Sequence, residues 1–229
     1  MTTEVAADEV HVWVASLDVA DVDVRRFASM LPPQERRRAD QLDPPLRRRF
    51  LSRRGLRRAI LAGYTGCPPD QLQLRAGPGG KPELDGGDLH FSCADSDDVA
   101  VVAVARGRHL GVDVERLRPV KDAVAVARMH FTSNEHAQLC ALPPRQRDVA
   151  FLWGWTRKEA YVKARGDGLS RALDGFSVSL ASPTEPAPAE VIDDGTPGRW
   201  SLQTFVPAAG HVAAVVAEGP GWRLRCRQW

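Results

Sequence analysis

Apolar residues along this chain change their spacing several times, and each change marks an element. His11–Leu17 alternates apolar and polar residues and predicts a strand. Asp21–Met30 predicts a short helix, and Pro32-Pro33-Gln34-Glu35 begins another with proline in its first turn. After Pro44-Pro45, residues Leu46, Phe50, Ile60, Leu61 and Tyr64 fall in one stripe, so a longer helix is expected from Leu46 to about Ala62. Val99–Val104 is apolar throughout, as in a strand covered on both faces. Gly111–Glu115 alternates again. Asp122–His130 is helical in pattern, and Ser133 followed by Glu135 reads as a capped helix start, closed by Pro143-Pro144. From Trp155 to Arg165 there is neither Pro nor Gly, and Gly166 and Gly168 then stop a helix. Phe176–Leu180 alternates as a strand, Ser182–Gly198 is a Pro/Asp/Gly-rich loop, and Trp200–Val206, His211–Ala217 and Trp222–Cys226 predict closing strands.

VAAVVAEGPGWRLR near the end echoes VAVVAVARGRHLGVDV from Val99. The echo predicts an α+β protein of two similar subdomains, residues 1–108 and 109–229, related by a pseudo-two-fold, each a small antiparallel sheet packed with helices. In the second copy Arg223 and Arg225 stand where the first has acidic residues, so two equal sites are not expected.

Composition narrows the class. The 229 residues are 43% hydrophobic, ample for a packed core, and the net charge of +2 gives no general argument for nucleic acid. Cys67, Cys93, Cys140 and Cys226 are widely spaced, which reads as reduced thiols in a cytoplasm. MTTEVAADEV has no basic region and no apolar run, so a signal peptide is not expected, and no stretch is long enough to suggest a membrane span.

Chemistry concentrates in FLWGWTRKEAYVKARGDGL, Phe151–Leu169. Trp155, Glu159 and Lys163 are spaced i, i+4, i+8; four residues turn a helix by about 400°, so the three share a face, with Lys158 at its edge. Asp113 and Glu115, two apart on a strand, share a face as well. Two readings stand. Three convergent carboxylates suit Mg²⁺, which keeps part of its shell for substrate phosphates. Alternatively, Glu159–Lys163 is a solvated helical ion pair and Asp113/Glu115 the wet side of an edge strand. Ten arginines lie between Arg36 and Arg58, with Arg53 and Arg57 in or beside the apolar stripe and Arg54 and Arg58 at its edge. Such a cluster suits a phosphate-rich ligand or an acidic partner; nucleic acid or mere solvation is the bland alternative.

Gly-Val-Asp-Val-Glu at Gly111–Glu115, followed by Trp-x-x-Lys-Glu-Ala-x-x-Lys at Trp155–Lys163, resembles the signature pair of the 4′-phosphopantetheinyl transferases of the surfactin-synthetase type. The likeness runs from about Leu31 to about Phe176. It implies a ligand cleft between the subdomains and transfer of the 4′-phosphopantetheine arm of coenzyme A to a serine of an acidic apo carrier protein. It also implies a monomer, with no membrane or nucleic-acid partner. Asp113, Glu115 and Glu159 become the implied Mg²⁺ ligands, and Asp113, Glu159 and Lys163 the catalytic set, with Glu135 a secondary candidate. Arg54, Arg58, Lys81, Lys158 and Lys163, helped by one of Arg36–Arg38, are implied to hold coenzyme A. The sequence departs from the family's Phe-Asn-Leu-Ser-His-Ser-Gly-Gly: aligned on Phe91, Asp95 stands at the histidine. An ionised aspartate only accepts hydrogen bonds and repels phosphate. The alternative it raises is a diverged member with other chemistry on a carrier-bound or small substrate.

Overall fold

The computed structural model describes residues 3–166, 172–182, 189–190, 192–193 and 199–229. In chain order the elements are β1 (Glu9–Ser16), α1 (Asp21–Ser29), α2 (Pro33–Asp40), α3 (Pro44–Thr65), β2 (Leu74–Ala76), β3 (Pro82–Leu84), β4 (Leu89–Ser96), β5 (Val99–Arg106) and β6 (Leu110–Arg116). There follow α4 (Ala123–His130), α5 (Ser133–Ala141), α6 (Pro144–Arg165), β7 (Phe176–Ser177), β8 (Ala189–Glu190), β9 (Ile192–Asp193), β10 (Trp200–Phe205), β11 (His211–Glu218) and β12 (Arg223–Gln228).

Two four-stranded sheets, ordered β12-β1-β5-β4 and β6-β11-β10-β8, form the centre. Their facing sides interdigitate through Val10, Val12, Val14, Val101 and Ala103 on one and Val112, Val114, Ala213 and Val215 on the other. The outer face of the first sheet packs under α3 through Leu56, Ile60 and Tyr64 against Ala100, Val102 and Val104. The outer face of the second packs under α6 through Ala160, Tyr161 and Ala164 against Ala214 and Val216. Layers therefore run helix, sheet, sheet, helix. This is why β5 and β11 are apolar almost throughout: water reaches neither face.

The fold is α+β, with the two halves that the sequence echo predicted. The long helices α3 and α6 are each 22 residues, each enters on proline, and each ends on a left-handed glycine, Gly66 at φ 71° and Gly166 at φ 77°. Their positions correspond at an offset of one hundred residues. Both helices are longer than the pattern predicts, because the prolines placed as breaks sit in their first turns. The division at residue 108 is blurred by β12, which leaves the second half and pairs in parallel with β1, Glu9 opposite Arg223. The first sheet is consequently mixed.

Smaller differences have local causes. α5 is capped by Thr132 and not Ser133, since Thr132 and Glu135 bond reciprocally as a capping box. The strand expected over Phe176–Leu180 is confined to Phe176–Ser177. Most of the expected loop 182–198, and Gly168, lie outside the described residues.

Candidate active site

α6 is buried against β6 and β11 nearly all round. Between Ala150 and Ala164 only Trp155, Glu159 and Lys163 are less than buried. The i, i+4, i+8 stripe is thus the one open line on a core helix, and it faces a cleft of about 710 Å³. Gly79–Pro82, Ser92 and Cys93 of the first half form the opposite wall, and Ala172 and Leu173 close one side. The cleft lies between the halves, as the resemblance implies.

Two edges meet beside it: β4 gives Ser92 and Cys93 to the lining, while Asp113 and Glu115 of β6 are not part of it. β6 and β4 belong to different sheets, and serine side chains join them in place of a backbone ladder. Ser92 Oγ accepts from Val112 N at 3.1 Å, and Ser96 Oγ accepts from Arg116 N at 3.1 Å while donating to Glu115 Oε2 at 3.0 Å. Gly111 lets α6 press on β6: a Cβ there would lie 2.1 Å from Ala160 O. That closeness brings Lys163 Nζ to 2.6 Å from Asp113 Oδ1. Lys163 turns to the strand rather than to Glu159, so the simple helical ion pair is not what forms.

Burial pushes the Asp113 carboxyl up to about 6; Lys163 works against this, and Glu115 and Glu159 add to it. Lys163 is raised overall: burial disfavours its charge, but Asp113, joined by Glu159 and Cys93, outweighs it. The other oxygen, Asp113 Oδ2, is buried and has no hydrogen-bond partner. An orphaned carboxylate oxygen in the field of two more carboxylates fits a hard divalent cation in its chemistry. The three do not close into a cage, however: among the described residues no group of three or more His, Cys, Asp or Glu is placed to hold a metal.

Two residues expected to touch ligand make internal contacts in the structure. Lys158 is wholly buried, its ammonium 2.8 Å from Glu135 Oε2 and donating to Leu173 O and Phe176 O at 2.8 and 2.6 Å. Arg58 is equally enclosed, donating to Glu35 Oε2 at 3.1 Å and to Pro69 O and Leu72 O at 2.9 and 3.0 Å. Lys158 has no donor to spare for phosphate, since its three N–H groups all find acceptors; Arg58 spends Nε and Nη1 in this way. Glu135 is likewise committed, to Lys158, Thr132 N and Val178 N. Lys81 lines the cleft, but its ammonium donates to Leu110 O and Lys163 O at 2.7 and 2.9 Å, and burial lowers its pKa to about 8. It pins the two halves together at the site.

A second cleft of about 440 Å³ adjoins the first at Gly80, Pro82 and Cys93. Arg53, Arg54, Arg57 and Arg75 line it, with Glu35 and Asp95. Asp95 is not a bare anion: Arg53 lies 2.9 Å and Arg49 3.7 Å away. Arg54 stacks on Phe50 at 5.3 Å and reaches Glu35 at 3.5 Å. Sequence reasoning passed over Ser96, Cys93, His130 and Leu173. Ser96 carried a signal, since Ser92 and Ser96 fall on one face of β4. The edge contact of His130 with Trp155, centroids 5.8 Å apart, joins separate helices and left none.

The model of the 4′-phosphopantetheinyl transferase superfamily matches residues 109–216, the half that carries Asp113, Glu159 and Lys163. The 4′-phosphopantetheinyl transferase HetI of Nostoc sp. is 38% identical over 224 residues, 95% of this chain and 91% of that protein. The chain belongs to the 4′-phosphopantetheinyl transferase superfamily. Within it, the transferase Sfp of Bacillus subtilis strain 168 is 26% identical over 205 residues, 85% of each chain. The transferase psf-1 of Bacillus pumilus is 30% identical over 135 residues, 58% of this chain and 57% of its own. The chain is accordingly an enzyme of the phosphopantetheinyl transferase class. No helix among the described residues is long and apolar enough to cross a membrane.

Proposed function

We propose that this phosphopantetheinyl transferase moves the 4′-phosphopantetheine arm of coenzyme A to the serine hydroxyl of an acidic apo carrier protein, within the cleft faced by Trp155, Glu159 and Lys163. The observation that carries the reading is the open stripe on an otherwise buried helix, set beside the orphaned oxygen of Asp113. The serine oxygen bonds to the phosphorus of the arm while the bridging P–O bond of the diphosphate breaks, releasing adenosine 3′,5′-bisphosphate. Glu159, half-buried at the cleft wall, takes the serine proton. Lys163 neutralises charge gathering on the diphosphate. Trp155, stacked on Phe151 at 5.7 Å, packs the arm rather than reacting.

Asp113, Glu115 and Glu159 would hold Mg²⁺, which supplies charge neutralisation to both phosphates when bound. Because the carboxylates are not gathered into a closed set, the ion and the diphosphate are expected to bind together, each completing the other's shell. Arg54, with Arg53 and Arg57 beside it, makes the adjoining cleft the place for the anionic nucleotide end. Asp95, paired with Arg53, repels that end less than its charge alone suggests, which favours transfer over the diverged alternative. The reading also takes the enzyme to act as a monomer in the cytoplasm.

Intact-mass measurement of apo carrier proteins after incubation with coenzyme A, Mg²⁺ and the enzyme tests the proposal. A gain of one phosphopantetheine arm is expected. No gain on any carrier of a broad panel would remove it.

A further inference from the structure

The Lys158–Glu135 pair is buried behind the reacting groups. Its side-chain exposures are 0% and 1%, and a cation so placed must answer to a specific need. The Lys158 ammonium has three protein acceptors, on α5 and at both ends of the short turn Leu173–Phe176. Glu135 in turn bonds Val178 N at 2.7 Å, just beyond that turn. One ion pair therefore ties α5, α6 and the segment 173–178 together. The start of this segment, Leu173, and the residue before it, Ala172, form the side wall of the cleft that Glu159 and Lys163 face. Lys158 is the residue directly before Glu159 on α6, so helix and wall are registered at the level where the substrate lies.

We infer that Lys158 and Glu135 act as one positioning unit, holding Leu173 against the cleft so that the pantetheine arm is seated beside Glu159 and Lys163. The inference rests on the proposed use of this cleft. Neither residue touches substrate. The first half shows that an arginine fits such a clasp: Arg58 binds Glu35 and two carbonyls of the segment after α3 in the same manner.

The test uses the full-length enzyme with coenzyme A, Mg²⁺ and a carrier protein that the wild type modifies. Kinetics are measured well below the unfolding temperature of each variant. Lys158→Met and Glu135→Gln are expected each to raise KM for coenzyme A about tenfold through a misplaced wall, with a smaller change in kcat. The double variant is expected to be no worse than either single, because the two residues act through one contact. Lys158→Arg is expected to restore a KM near that of the wild type. Leu173→Ala, which leaves the clasp intact, is expected to raise KM in the same way and keeps the idea testable if Lys158→Met does not fold. Folded variants with wild-type KM would show that the pair only holds the fold together. An effect of Lys158→Met without one of Glu135→Gln would make Lys158 a direct ligand contact, and would also overturn the inference. Failure of the wild type to modify any carrier counts against the proposed function instead, and is seen before any variant is compared.

Discussion

α3 and α6 are two versions of one helix, and the contrast between them isolates what the site required. Residues one hundred apart keep the same structural duty where the fold needs it. Arg58 and Lys158 are both buried cations, paired with Glu35 and Glu135 from the preceding helix and with carbonyls of the following segment. Arg57 and Arg157 are both buried beside them. Where α6 shows Trp155, Glu159 and Lys163, α3 has Gly55, Ala59 and Gly63. Beneath the helices the strands differ correspondingly. β1 carries His11 and Trp13 where β6 carries Gly111 and Asp113. Trp13 Nε1 donates to Tyr64 Oη at 2.8 Å, and that hydroxyl lies 2.7 Å from His11 Nδ1. The first half thus fills with aromatic rings the corner that the second opens for charge. The two halves share their clasps and differ in their surfaces.

The largest effect that would break this contrast is catalytic. Glu159→Ala should cost transfer about a hundredfold to a thousandfold, the scale of losing a group aimed at the transition state. Ala59→Ser, at the matching place on α3, should change kcat/KM by less than about twofold. Comparable losses at both positions would mean that the halves share the chemistry.

The clasps should behave alike in stability. Lys158→Met strands a buried carboxylate and should cost about 3–5 kcal/mol in urea denaturation; Arg58→Met leaves Glu35 part-exposed and still near Arg54 and Arg57, so it should destabilise in the same direction but by less. A loss in one half alone would show that the resemblance of the clasps is superficial. Next in size is Gly111→Ala, which drives a methyl into the backbone of α6 and should destabilise by about 1–3 kcal/mol. It should also slow transfer as Asp113 and Lys163 part. Unchanged activity would mean that their contact is incidental.

These contrasts also explain how much the sequence disclosed. Periodicity found the long helices and most of the long strands, because core spacing is a local property, but it did not find β4, Leu89–Ser96, whose polar residues broke the pattern. The stripe Trp155–Glu159–Lys163 was legible for the same reason. The burial of Lys158 and Arg58 could not be read, because their acceptors include backbone carbonyls of later segments, 15 and 18 residues on for Lys158. A backbone oxygen leaves no mark in a sequence. The pairing of Asp95 with Arg53, across 42 residues, was hidden likewise: each charge was visible, but not its neighbour.

Two smaller predictions sharpen the comparison. Asp95→His removes an anion and frees Arg53 and Arg49, so calorimetry should show coenzyme A bound about fivefold tighter, about 1 kcal/mol. Weaker binding would mean that Asp95 organises the arginines rather than opposing the ligand. The last concerns His11. Burial lowers its pKa below 6.5, against the hydrogen bond it donates to Glu9, with Arg225 and Arg227 also nearby. The unfolded chain therefore takes up the proton first as pH falls. This contribution is fully present above 6.5 and is lost as pH drops from there through the lower folded value. His11→Gln should flatten that part of the stability profile; an unchanged slope would assign it to another group.

The crossing of β12 to the edge of β1 has a consequence for biosynthesis. Residues 9–14 emerge from the ribosome early, but their parallel partners, residues 223–228, are made more than two hundred residues later. Until then the nascent first half carries an unpaired strand edge, a template for wrong partners. Closing so long a loop is also slow compared with forming the helices. The last strand therefore acts as a late fastening. A ribosome that stalls before residue 223 would release a chain with most of its core residues but an open seam, a ready substrate for chaperones.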